Sequence, residues 1–114
     1  MVNQNQFGRQ KQLRLPRRIK IGGYVIEIVL ASQKEIREAI DDTDPKSKFD
    51  GVWLSKLGDT TEDIFGDEVE CEADGIIYIY SRLPSQQKWE AFWHEMIHAL
   101  VDISSYDKEH PLIT

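Results

Sequence analysis

Cysteine is almost absent from this sequence: Cys71 stands alone, so no disulfide can form within the chain and nothing indicates an oxidising compartment. Long apolar runs are missing too. None approaches the roughly 18 residues that a membrane span needs, and no membrane partner is expected. The opening residues, Met1-Val2-Asn3-Gln4-Asn5-Gln6, are polar and lack the apolar segment of a secretory signal. The expected location is cytoplasmic.

Charge is plentiful but unevenly spread. The net charge is −6, yet residues 1–20 carry Arg9, Lys11, Arg14, Arg17, Arg18 and Lys20 and no acid. The remainder holds 8 basic and 20 acidic residues, a net of −12. Residues 1–16 read as a flexible basic arm rich in Gln and Asn, and residues 17–114 as one domain, since a chain of 114 residues can bury one modest core. A basic arm can touch nucleic acid, dock on an acidic body or stay solvated. No aromatic–basic stacking pattern or known binding motif favours nucleic acid here.

Two β-branched runs, residues 17–21 and 24–30, flank Gly22-Gly23 and predict a hairpin with a two-residue turn. Ser32-Gln33-Lys34-Glu35 is a capping box, followed by a short helix through about Ile40 that Asp41-Asp42-Thr43-Asp44-Pro45 ends. Residues 51–55 read as a short strand. The acids of residues 59–74 lack the spacing of a cation-binding loop and read as a solvated acidic segment. Val69, Cys71 and Ala73 alternate with acids, which suggests a strand turned by Asp74-Gly75 into Ile76-Ile77-Tyr78-Ile79-Tyr80; Cys71 is then a buried structural thiol.

The strongest periodicity begins near Pro84-Ser85 and runs to about Ser104. Trp89, Phe92, Trp93, Met96, Ile97, Leu100 and Val101 follow the spacing of a buried helical stripe. With His94 set at 0° and 100° per residue, that stripe centres near 240°, whereas His98, Ala91, Asp102 and Glu95 fall between about 40° and 100°. One face therefore enters the core, Trp89 and Trp93 included, and the other presents chemistry. Trp53 is likewise expected in the core.

That chemical face carries His94-Glu95-Met96-Ile97-His98, an HExxH motif. Two histidines one turn apart can reach one ion, and zinc accepts imidazole nitrogen at about 2.0–2.1 Å. Zinc polarises a carbonyl and activates a water. Glu95 is placed to act as general base, taking a proton from that water and passing it to the leaving amine. Asp102 is in position to orient His98.

The run from Asp74 to Ile79, a short polar link and then Trp93-His94-Glu95-Met96-Ile97-His98-Ala99-Leu100 resemble the small phage-type and ImmA/IrrE-type zincin metallopeptidases. The resemblance covers roughly residues 17–104. It implies an α+β fold: a small, mixed and mostly antiparallel sheet packed on a long HExxH helix and a shorter helix. It also implies zinc as cofactor, a protein or peptide substrate held in extended form along residues 76–80, and a phage-related setting in the host cytoplasm. Such zincins take a third ligand, a glutamate, from a later helix. Here the candidates are Glu109, then His110, with Asp107, all expected in a tail that folds back after the helix. The ending Pro111-Leu112-Ile113-Thr114 reads like the approach to a further helix, so a domain lacking that helix is also an expectation. Tyr106 is expected to be a packed or exposed aromatic. The rival reading is a non-catalytic module that keeps the zincin scaffold and binds a host protein, or nucleic acid through residues 9–20. A metal-dependent hydrolase of a non-peptide amide would share the same site.

Overall fold

The computed structural model describes residues 14–110. Residues 1–13 of the basic arm and the terminal Pro111–Thr114 segment lie outside the described residues. At the described end of the arm, Leu15 is partly buried against the core.

Strands β1 (Arg18–Ile21) and β2 (Tyr24–Ala31) pair antiparallel with Ile21 opposite Tyr24. Gly22 and Gly23 have φ of +54° and +90°, the pair of positive angles that a tight type I′ turn requires and that side chains resist. Helix α1 (Gln33–Ala39) starts on the expected capping box: Ser32 Oγ accepts from the Glu35 amide at 3.1 Å, and the Ser32 amide donates to Glu35 Oε1 at 2.9 Å. Hydrogen bonding from the Ser32 amide, and after it the Ser32 side chain, holds the Glu35 carboxyl below its ordinary pKa. Strand β3 (Gly51–Ser55) follows, then β4 (Thr60–Glu62), β5 (Glu68–Glu70), β6 (Gly75–Tyr80) and helix α2 (Ser85–Glu109).

The main sheet has the order β1-β2-β6-β3, with β6 parallel to β2 and antiparallel to β3. The described residues thus form a small α+β fold with a mixed sheet and two helices. The expected hairpin between residues 69–73 and 76–80 does not form. Val69 lies in β5 and pairs with Thr61 of β4 in a separate, exposed two-stranded ribbon, and Cys71 is half-buried beyond its end. The reason is composition: β6 is apolar on both faces and suits an inner position, whereas Glu68 and Glu70 need solvent. A second consequence is that residues 76–80 are not an edge strand. They lie between β2 and β3, and the edge beside α2 is β3.

Tyr24, Ile26 and Ile28 of β2 and Ile77 and Ile79 of β6 form one wall of the core, and Phe92, Met96, Ala99 and Ile103 of α2 form the other. Helix α2 runs for 25 residues, five beyond the expected end at Ser104. Tertiary contacts carry the extension. Ile103 is buried, the Tyr106 ring stands edge-on to Tyr24 at 6.3 Å, and Tyr24 Oη donates to Asp107 Oδ1 at 3.0 Å. Burial, then the carboxylate of Asp107, raise the Tyr24 pKa.

The side of α2 that meets the sheet differs from the expected one. Buried residues are Ala91, Phe92, Glu95, Met96, Ala99 and Ile103, a sector from about 60° to 200° on the same wheel. Trp93, Ile97, Leu100 and Val101 are exposed by 57%, 61%, 40% and 60%. Apolar side chains cover well over half of the circumference, so periodicity alone does not fix the contact side. The small Ala91 and Ala99 do, because they let the helix backbone approach β3 and β6 closely.

Candidate functional site

His94 and His98 lie at the margin of the buried sector, both exposed. Their Nε2 atoms are 3.3 Å apart and their rings meet edge-to-face with centroids at 4.9 Å. Two nitrogens each about 2.05 Å from one tetrahedral ion stand about 3.3 Å apart, so the pair has the bite that zinc takes. Without an ion the same approach is a hydrogen bond between one protonated and one bare ring nitrogen.

Glu95 comes from the opposite condition. Its side chain is 11% exposed, against 68% for His94, and Oε2 lies 3.9 Å from His94 Nε2. It sits over Gly51 of the edge strand: a Cβ built on Gly51 would come within 3.3 Å of Glu95 Cγ and 3.0 Å of both Ile79 Cδ1 and the Tyr78 carbonyl oxygen. A glycine at 51 therefore makes room for the carboxylate. Gly51 and Glu95 are far apart in sequence, and no sequence signal links them.

Two clefts meet at Glu95. One, about 430 Å³, is lined by Val52, Trp53, His98 and Asp102 among others; the second, about 760 Å³, by Asp50, Gln87, Glu90 and His94. Gly51 and Glu95 line both, so together they form a groove along the β3 edge with the carboxylate at its middle. A third cleft, at the start of α2 beside Arg14, Arg17 and Trp89, shares no residue with these two.

Among the described residues the outer edge of β3 pairs with no strand. Tyr80 and Lys56 amides donate to the Asp50 and Asp74 carbonyls at 2.8 Å, at the two ends of the β3–β6 pairing. Bonded pairs alternate in an antiparallel ladder. Val52 and Leu54 therefore face β6, while Gly51, Trp53 and Ser55 turn their amides and carbonyls outward. No described strand pairs with that side.

Asp102 is engaged elsewhere than expected. Its Oδ2 accepts from Trp53 Nε1 at 2.6 Å, which ties α2 to the edge strand instead of orienting His98. The indole lies against Gly75, where any Cβ would collide with the ring. Trp53 is half-buried against the core, as is Trp89, whereas Trp93 is exposed.

The expected third ligands are not brought to the histidines. The tail from Ser105 that was to fold back is helix as far as Glu109, and Glu109 stands about 16 Å beyond His98 along the axis, eleven residues at about 1.5 Å each. Asp107 is taken by Tyr24, and His110 stacks on Tyr106 at 4.4 Å. Among the described residues no group of three or more His, Cys, Asp or Glu is disposed to hold a metal ion. The histidine pair fits zinc; it is two ligands, with Glu95 beside them. No helix of the described residues is long and apolar enough to cross a membrane. No family model, curated protein or solved structure matches the chain, and the site stands on its own geometry.

Proposed function

We propose that this protein is a zinc-dependent peptidase of the zincin type, as the resemblance to the ImmA/IrrE-type enzymes implies. The observation that carries the reading is the opposed Nε2 pair at 3.3 Å beside a sheltered carboxylate. His94 and His98 would hold the metal, which when bound supplies a Lewis acid for the scissile carbonyl and lowers the pKa of water. Glu95, in the middle of the groove, takes a proton from the attacking water and returns it to the leaving amine. Its packing over Gly51 limits its rotamers and keeps it aimed at the groove. The outward amides and carbonyls of Gly51, Trp53 and Ser55 would hold the substrate as an added strand, through main-chain pairing with little sequence preference. An extended peptide on that edge passes both clefts and brings one peptide bond past Glu95. The substrate edge in this reading is β3, not residues 76–80.

The test is zinc content of the purified protein by elemental analysis, beside cleavage of an unfolded protein substrate. Near-stoichiometric zinc is expected in wild type and Glu95→Gln and is expected to fall in His98→Ala. Glu95→Gln should cut the cleavage rate by about 10²–10⁴-fold. A wild type that takes up no zinc after reconstitution overturns the reading and leaves the scaffold as a binding module.

A further inference from the structure

The outer face of α2 has no cover among the described residues, and its residues are arranged to match a copy of themselves. Trp93, Ile97, Leu100 and Val101 recur at helical spacing and expose 40–61% of their surface. Single exposed apolar residues are ordinary, but four contiguous ones on a rigid helix mark an interaction surface. Their i, i+4, i+7, i+8 pattern is a ridge of the shape that another helix receives.

The ends of the ridge identify the partner. Glu90 and Lys108 are both exposed, lie at the same angle of about 320° on the wheel and bracket the ridge about 27 Å apart. Neither forms an ion pair with another described residue. A two-fold axis near residue 99, perpendicular to the helix, sets Glu90 of one copy against Lys108 of the other at both ends. The same axis sets Ile97 against Val101 and the Trp93 indole against the small Ser104. A parallel arrangement would instead oppose like charges. We infer that α2 forms an isologous, antiparallel homodimer through this face. The ridge is small beside the ~800 Å² per partner of a stable interface. Association is therefore expected to be weak, and it should weaken further with salt because the end pairs are exposed.

Sedimentation equilibrium of the full chain tests this, with circular dichroism confirming the fold of each variant. Ile97→Glu should abolish the dimer. Lys108→Glu should raise the dimer Kd about tenfold, because each end then sets two carboxylates together, and adding Glu90→Lys should restore Kd to within about threefold of wild type. The charge reversals lie on exposed positions and do not depend on the core. Wild type that stays monomeric at about 1 mM overturns the inference. So does a dimer indifferent to Ile97→Glu, or one weakened by Lys108→Glu and not rescued by Glu90→Lys, or a monomer that binds only an unrelated helix.

Discussion

Helix α2 has two apolar faces that differ in burial rather than in hydrophobicity. The inner face holds Phe92, Met96, Ala99 and Ile103, all at or below 6% exposure; the outer face holds Trp93, Ile97, Leu100 and Val101, all at or above 40%. Counted by side-chain size, the outer face is at least as apolar. What separates them is shape: Ala91 and Ala99 let the helix seat on β3 and β6, and Glu95 is tolerated in the seat because Gly51 leaves it room and the groove leaves it water. Close packing selected the face, and transfer free energy alone did not.

The comparison breaks most directly at Phe92 and Trp93, adjacent aromatics in edge-to-face contact at 5.1 Å. Phe92→Ala should destabilise the monomer by about 3–5 kcal/mol, a large part of a small domain's stability. Trp93→Ala should cost about 1 kcal/mol or less, since its surface is already largely in water. Urea denaturation at low protein concentration, below the dimer range, measures both; equal losses would mean that the two faces are not distinguished as the structure has them.

Gly75→Ala sharpens the contrast on the inner side. The added methyl displaces the Trp53 indole and with it the 2.6 Å bond to Asp102, at an expected cost of about 1–3 kcal/mol. Trp53→Phe in the same background should recover part of that loss by relieving the collision. Failure to recover any of it would place the strain elsewhere in β6.

The smallest effect is expected at the C-terminal end of the inner face. Tyr24 is held neutral by burial and by donating to Asp107, so its folded pKa is raised. A raised folded pKa means stability that is full below the unfolded value near 10 and is lost as pH rises through the folded value. Tyr24→Phe should therefore flatten the alkaline fall in stability above about pH 10 while changing neutral stability little. An unchanged alkaline limb in the variant would assign that fall to other groups.

The sequence by itself determined what depends on near neighbours. Gly22-Gly23 specified the turn, Ser32 and Glu35 the start of α1, and the spacing of His94 and His98 their meeting on one side of one helix, because one helical turn sets that distance whatever the helix packs against. Only the tertiary structure decided which face of α2 is inside, that β6 lies parallel to β2 and leaves β3 at the edge, and that Gly51 shelters Glu95. Those outcomes rest on contacts between residues tens of positions apart. Apolar residues on both sides of α2 and strands apolar on both faces allow several arrangements by pattern, and close packing of Ala91, Ala99, Gly51 and Gly75 selects among them.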